Sequence, residues 1–144
     1  MDNKMTLSFI SKSSNEGFAR AAVAAFATQL DPTLEDLADI KTAVSEAVTN
    51  AIVHGYGHPN GIITVSCVLS GKSITITVHD EGRGILNVQQ AMQPLFTQSE
   101  DTERSGMGFT VMEAFMDSIT VDSTIGQGTI VTLTKKINND IMAP

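Results

Sequence analysis

Residues 62–84 read IITVSCVLSGKSITITVHDEGRG, and this stretch carries the strongest prediction of a β-sheet in the chain. Two runs in which apolar and polar residues alternate, residues 62–69 and 73–79, predict two β-strands. The three residues 70–72 between them predict a hairpin. Because the second strand runs directly into an acidic, glycine-rich turn that begins at Asp80, the stretch predicts a sheet with a polar site at one strand end.

Helical periodicity dominates the chain before this hairpin. Residues 5–10 alternate apolar and polar side chains and predict a strand at a sheet edge. Apolar residues at helical spacing predict one helix from about residue 15 to 29 and a second one that ends near residue 53. Thr33 and Asp36 resemble a capping box, which predicts the start of the second helix. Residues 54–61 are a loop by composition.

The chain after the hairpin predicts a long connection and three further elements. Residues 80–106 predict a loop with one helical turn near residues 88–92, and loops of this length in compact domains are usually functional. A helix that begins at Gly108 follows, and residues 118–123 and 129–136 predict a second hairpin.

The predicted order of elements is strand, two helices, hairpin, long loop, helix and hairpin. This order predicts an α/β two-layer sandwich, in which one mixed sheet is covered on one face by helices. Residues 1–137 are predicted to form a single domain, and residues 138–144 a disordered tail.

Composition excludes several classes of function. The formal net charge of −7 argues against direct nucleic-acid binding and against anionic membranes, because both need patches of Lys and Arg. Cys67 is the only cysteine, so no internal disulfide is possible. The chain has no apolar run near the ~20 residues that span a bilayer and no signal peptide. We therefore expect a cytoplasmic protein.

Glu46 and Asn50 are candidate site residues on the second helix. They are four residues apart and therefore lie on the same helical face. An Asn side-chain oxygen is a suitable Mg²⁺ ligand, and a Glu one turn away can accept a proton from an attacking hydroxyl or water. The spacing alone fits equally an amphipathic helix whose two polar side chains face solvent.

Asp80, Gly82 and Gly84 form the second candidate group. A carboxylate at a strand end can accept a hydrogen bond from an exocyclic amine such as that of adenine, and glycines let the backbone approach a flat ring. Taken alone, such a turn is also compatible with an ordinary Asp/Gly loop.

Two more glycine-containing turns follow. Gly106 and Gly108 precede a predicted helix, whose N-terminal N–H groups can bind phosphate oxygens. The turn at residues 126–129 reads GQGT and is by itself an ordinary hairpin turn.

Together these groups resemble the GHKL superfamily of ATPases and kinases. The resemblance is carried by Glu46…Asn50, Asp80-x-Gly82-x-Gly84, Gly106-x-Gly108 and Gly126-x-Gly128-Thr129, in this order. It implies the Bergerat type of sandwich, with ATP or ADP and Mg²⁺ held between sheet and helices under a mobile lid at residues 86–105. It further implies Asn50 as the Mg²⁺ ligand and Asp80 as the acceptor of the adenine amine. The other nucleotide contacts that it implies are Gly82, Gly84, Ile85, Ser105, Gly106, Met107, Gly108 and Thr129.

Three stretches are similar to one stand-alone class of the superfamily, the anti-sigma factors that are also serine kinases. They are residues 45–56 (SEAVTNAIVHGY), 79–85 (HDEGRGI) and 96–112 (FTQSEDTERSGMGFTVM), and they resemble the sporulation members of that class. The partners implied are a sigma factor, sigma-F, and an anti-anti-sigma protein that is phosphorylated on serine with ATP as donor. In this resemblance Glu46 is the general base and Arg104 reaches the γ-phosphate.

Two further partner contacts are predicted. Arg20 is the only charged residue between Gly17 and Leu30, and we interpret it as a contact to a protein partner. An arginine in this position can equally extend into solvent. The strand at residues 5–10 could pair across a two-fold axis, so a homodimer is expected, mainly from the resemblance.

Two alternative functions use the same residues. The protein could be a non-catalytic binding module in which ATP only orders a partner surface, or a slow ATPase with water as acceptor. Glu46 favours the kinase, since a pure switch needs no base at that position.

Overall fold

The structure is a computed structural model that describes residues 2–93 and 102–137, without the side chains of residues 102–107. The elements are β1 (Asn3–Ile10), α1 (Asn15–Ala27), α2 (Leu34–Asn50), β2 (Ile62–Ser70), β3 (Ser73–Asp80), α3 (Val88–Ala91), α4 (Thr102–Phe115), β4 (Ser118–Thr124) and β5 (Gly128–Lys136). A 3₁₀ turn at Thr28–Leu30 follows α1, and a π-helical turn at Ala51–Tyr56 follows α2. The predicted tail at residues 138–144 and part of the predicted lid lie outside the described residues.

The start of α2 confirms the cap that the sequence predicts. Thr33 has extended backbone, and its side chain accepts a hydrogen bond of 3.0 Å from the Asp36 N–H. The end of the helix differs from the predicted loop at residues 54–61, because the chain continues into the π-helical turn. Gly57 N–H closes this turn on the Ile52 carbonyl at 2.8 Å, five residues back.

The sheet has the order β1-β2-β3-β5-β4, and every neighbouring pair is antiparallel. The expected mixed sheet is therefore wrong, whereas helices on one face of a single sheet are confirmed. Two helices return the chain between β1 and β2, so these neighbours run in opposite directions. The short helix α3 and the longer helix α4 connect β3 to β4, which runs parallel to β3. Because β5 lies between these two strands, each neighbouring pair is antiparallel.

The core lies between the sheet and the helices. The strands contribute alternate residues that are almost fully buried, among them Ile63, Val65, Cys67, Ile74, Ile76, Val78, Val131 and Leu133. Helices α1, α2 and α4 close this layer with Ala19, Val23, Ile40, Val44, Val48 and Met112. Burial raises the pKa of the Cys67 thiol to about 12, so this cysteine is an inert part of the core.

Helix α4 begins at Thr102, six residues before the predicted start at Gly108. The predicted start was wrong because the glycines and polar residues up to Gly106 predict a loop, whereas the helix includes both Gly106 and Gly108. A glycine inside a helix costs only about 1 kcal/mol relative to alanine, and close packing between helices can offset this cost. None of the helices in the described ranges is long and apolar enough to cross a bilayer.

Candidate functional site: a polar-ended cavity between sheet and helices

A cavity of about 140 Å³ lies between the sheet and the helical layer, where β3 ends and β5 begins. Its lining residues are Ala47, Asn50, Ala51, His54, Gly55, Val78, Asp80, Arg83, Gly84, Ile85, Ala91, Phe109, Thr129 and Val131. Most of the wall is apolar, and a few polar groups converge on it, which is typical of small-molecule sites. The sequence predicts one site that contains Asn50, Asp80, Gly84, Ile85 and Thr129, and the fold brings these residues together.

Asp80 is the last residue of β3, and only 5% of its surface is exposed. Its Oδ1 accepts a hydrogen bond of 2.9 Å from the Gly82 N–H, and the backbone N–H of Thr129 also donates to the carboxylate. Burial raises the pKa of Asp80, and the Gly82 N–H, the nearby His79 and the Thr129 N–H each limit the rise. The result is a buried acceptor at the edge of an apolar cavity.

The turn after Asp80 packs against the π-helical turn. A Cβ at Gly82 would lie 2.0 Å from the Gly55 carbonyl oxygen, so only glycine fits there without a backbone shift. The next residue, Arg83, donates its N–H to the same carbonyl at 2.9 Å. Gly82 therefore holds the turn behind Asp80, whereas Gly84 and Ile85 line the cavity directly.

A second group of contacts missed by the sequence reasoning surrounds Thr129. The Ser123 hydroxyl accepts the Ile85 N–H at 2.8 Å, donates to the Gly128 carbonyl at 3.0 Å and lies 2.8 Å from Thr129 Oγ1. Ser123 is the partner of Thr129 in the β4–β5 register. That register was the signal in the sequence, since a correctly aligned second hairpin places Ser123 opposite Thr129.

Tyr56 is another residue that the sequence reasoning missed. Its hydroxyl donates to the Ile62 carbonyl at 2.6 Å and accepts the Glu81 N–H at 2.8 Å. A Cβ at Gly61 would lie 2.5 Å from the Tyr56 ring, so the ring packs directly on that glycine. Tyr56 thus joins the end of the π-helical turn to the start of β2 and to the residue after Asp80.

Asn50 lies at the other end of the cavity, because Asp80 packs against Gly55 and Asn50 precedes Gly55 by more than one helical turn. Both polar atoms of its side chain, Oδ1 and Nδ2, are buried and have no hydrogen-bond partner within the described parts of the chain. Gly108 of α4 lies against this amide, because a Cβ at Gly108 would be 2.9 Å from Asn50 Nδ2. An unsatisfied buried amide costs about 1–3 kcal/mol, which a bound ligand could recover.

The chemistry of Asn50 fits a Mg²⁺ ion only together with a polyanion. The described residues contain no group of three or more His, Cys, Asp or Glu side chains that could hold a metal. Mg²⁺ prefers oxygen ligands and commonly combines one or two protein ligands with phosphate oxygens and water. A metal at Asn50 would therefore depend on a phosphate-bearing ligand for its remaining coordination.

Glu46 and Arg20 lie outside the cavity in a separate groove between α1 and α2. This groove is lined by Arg20, Ala38, Lys41, Thr42, Ser45 and Glu46. Arg20 Nη1 lies 3.5 Å from Glu16 Oε2 on the same helix. Glu46 is one helical turn before Asn50, so the groove and the cavity meet along α2.

The remaining predicted residues belong to α4. Gly106 and Gly108 lie inside this helix, so they do not form the predicted turn at its N-terminus. The side chains of Arg104, Ser105 and Met107 lie outside the described part of the structure.

The fold and the cavity together define a histidine kinase-like ATPase domain. The family model of that description matches residues 12–135. Among solved structures, the RsbU and RsbW domains of Rv1364c from Mycobacterium tuberculosis superpose with a TM-score of 0.69 at 22% identity, over 94% of this chain and 32% of that chain. The catalytic domain of the histidine kinase ThkA superposes with a TM-score of 0.58 at 14% identity, over 92% of this chain and 96% of that chain.

Sequence identity to known proteins specifies which kind of histidine kinase-like ATPase domain this is. The anti-sigma F factor of Thermoanaerobacter sp. (strain X514) is 62% identical over 138 residues, which cover 96% of each chain. The anti-sigma F factor of Clostridium acetobutylicum is 57% identical over 136 residues, which cover 94% of this chain and 95% of that protein. The chain belongs to the family of the anti-sigma F factors, which have a histidine kinase-like ATPase domain.

Proposed function

We propose that this protein is an ATP-dependent serine kinase that also sequesters a sigma factor. In this proposal it binds sigma-F, phosphorylates a serine of an anti-anti-sigma partner and thereby controls sporulation transcription in the cytoplasm. The observation that carries the proposal is the presence of a different polar group at each end of the cavity. A buried carboxylate, Asp80, lies at one end, and the buried amide of Asn50, which has no hydrogen-bond partner among the described residues, lies at the other.

The carboxylate at one end and the amide at the other support one orientation of ATP in the cavity. The adenine amine would donate to Asp80, with Thr129 beside it and Gly84 and Ile85 against the ring. The phosphates would then extend towards Asn50, which would bind Mg²⁺ through Oδ1. Mg²⁺ would supply positive charge that neutralises the phosphate oxygens during transfer. In α4 the phosphate contacts of this proposal are Ser105, Gly106, Met107 and Gly108.

Glu46 is the proposed general base. It would accept the proton of the partner's seryl hydroxyl while the serine oxygen forms a bond to the γ-phosphorus. The bond between that phosphorus and the β–γ bridging oxygen breaks, and ADP leaves with its electron pair. Glu46 precedes Asn50 by one helical turn, a rise of about 6 Å, which suits a base beside a metal-bound phosphate. Arg104 is proposed to bind the γ-phosphate oxygens as charge develops.

The groove between α1 and α2 supports the proposed partner contact at Arg20. Arg20 and Glu46 share this groove, so a protein bound at Arg20 would also reach the proposed base. A segment that carries the phosphoacceptor serine could therefore enter from this side.

A homodimer completes the proposal. Strand β1 is an edge strand, and its outer edge has no neighbour among the described strands. An unpaired edge of this kind can add a strand from a second copy. Analytical ultracentrifugation of the protein alone would report the dimer.

The decisive experiment incubates the protein with γ-labelled ATP, Mg²⁺ and the anti-anti-sigma partner. We expect label on a partner serine, and we expect Glu46→Gln to lose this transfer by at least ~100-fold while ATP still binds. Glu113→Gln is the matched control, because it removes an exposed carboxylate from α4 and should transfer label normally.

Two other results would support the alternatives. If ATP binds but no label is transferred or released, the nucleotide acts as a switch ligand for partner binding. If label is released only as inorganic phosphate, the protein is an ATPase. Either result would refute the kinase and leave the nucleotide site intact.

A further inference from the structure

Ser123 has a complete set of hydrogen bonds, and this determines the direction of each one. A serine hydroxyl carries one hydrogen and two lone pairs. One lone pair accepts the Ile85 N–H at 2.8 Å. A carbonyl oxygen cannot donate, so the 3.0 Å contact with Gly128 O uses the single hydrogen of Ser123. Only the second lone pair remains for Thr129 Oγ1 at 2.8 Å.

It follows that Thr129 donates its hydroxyl hydrogen to Ser123. Thr129 is 7% exposed and lines the cavity. With its hydrogen directed at Ser123, it can offer only lone pairs to a ligand. Asp80 also acts as an acceptor, since the backbone N–H groups of Gly82 and Thr129 both donate to its carboxylate. The polar edge of the cavity formed by Asp80 and Thr129 therefore presents acceptors alone.

We infer that Ser123 is a positioning residue that determines which base the cavity accepts. It does not contact the base; it fixes the hydroxyl direction of Thr129. Position 6 of adenine carries an amine, which donates to such an edge. Guanine carries a carbonyl oxygen at the same position, and an acceptor facing two acceptors leaves buried polar groups unpaired. The inference rests on the proposed function, because it requires a purine nucleotide in this cavity.

Removal of the Ser123 hydroxyl releases Thr129. In Ser123→Ala the Thr129 hydrogen loses its acceptor and can rotate into the cavity, where it can donate to the guanine carbonyl. The ratio of the GDP to the ADP dissociation constant should consequently fall about tenfold, which corresponds to one hydrogen bond of ~1.4 kcal/mol. Ser123→Thr keeps a hydroxyl at the same position and should restore the wild-type ratio.

The test measures ADP and GDP binding by isothermal titration calorimetry to the full chain and its variants. Ser118→Ala is the matched control, because Ser118 is an exposed residue of the same strand that pairs with Thr134. A merely structural role of Ser123 would weaken both nucleotides equally and leave the ratio unchanged, and this result would overturn the inference. If the wild type binds neither nucleotide, the proposed nucleotide site falls as well.

Discussion

The two ends of the cavity differ in how their polar groups are satisfied. At the end formed by Asp80 and Thr129, which we call the base end, each polar side chain has hydrogen-bond partners within the chain. At the end formed by Asn50, which we call the amide end, Gly108 packs on the side-chain amide. Both polar atoms of Asn50 are buried there without a partner in the described ranges. The base end is therefore preorganised by the fold, whereas the amide end has two buried polar atoms that a ligand could satisfy.

The largest effect is expected from a substitution that displaces the backbone turn at the base end. Gly82→Ala would place a Cβ 2.0 Å from the Gly55 carbonyl oxygen, so the turn behind Asp80 must move. We expect a loss of about 3 kcal/mol in the free energy of unfolding, as for a severe overpacking, and no measurable ADP binding. Urea denaturation and calorimetry measure the two effects.

Gly17→Ala is the control for this variant. A Cβ at Gly17 meets only Arg20 Nη2 at 3.6 Å, an ordinary contact, and the residue lies in α1. This variant should gain up to ~1 kcal/mol, because alanine favours a helix more than glycine. Wild-type stability in Gly82→Ala would show that the turn is not held by this close approach.

The next effect separates binding from stability at the base end. Asp80→Asn replaces a carboxylate oxygen by an NH₂ group, which cannot accept from the backbone N–H groups or from an adenine amine. ADP affinity should fall about 30-fold. This change corresponds to ~2 kcal/mol, which is typical of one hydrogen bond to a charged group. The unfolding free energy of the free protein should not fall correspondingly, because burial penalises the charge of Asp80. Equal losses in binding and stability would contradict the assignment.

The raised pKa of Asp80 also predicts opposite pH dependences for binding and stability. Lowering the pH through this pKa protonates the acceptor, so ADP affinity should fall at a pH above the ordinary value of about 3.9 for Asp. The folded state binds this proton more tightly than the unfolded state. Stability from Asp80 is therefore fully present below the unfolded pKa and is lost as the pH rises through the folded pKa. Titrations of wild type against Asp80→Asn isolate both effects.

The smallest effect tests the amide end. Asn50→Leu removes a buried amide that has no partner in the part of the chain that the structure describes, and it keeps a similar volume. The free energy of unfolding should therefore rise by about 1 kcal/mol. Mg²⁺ should no longer strengthen ADP binding in this variant. Asn87→Ala is the control, and its free energy of unfolding should change in the opposite direction. Asn87 Oδ1 accepts the Gln90 N–H at 3.0 Å and caps α3. Loss of that cap should cost about 1 kcal/mol. A similar loss in Asn50→Leu would show that the amide is already satisfied.

Much of the fold and the base end could be predicted because the signals are local. The alternation in β2 and β3, the short link between them and the Thr33 cap each depend on neighbouring residues. The sequence-based predictions were wrong where the structure depends on contacts between segments that are far apart in the chain. Helix α4 includes the two glycines that predicted a turn, and it packs as a whole against α2, while the antiparallel sheet depends on β5 lying between β3 and β4.

Backbone periodicity is enough to place Asp80 at the end of a strand and Asn50 one helical turn after Glu46, so both positions follow from the sequence. The packing of Gly108 on Asn50 follows only from the folded structure. The same is true of the contacts by which Ser123 joins Ile85 to Thr129. These contacts connect residues far apart in the chain, and their geometry depends on how sheet and helices fill the core rather than on any local preference.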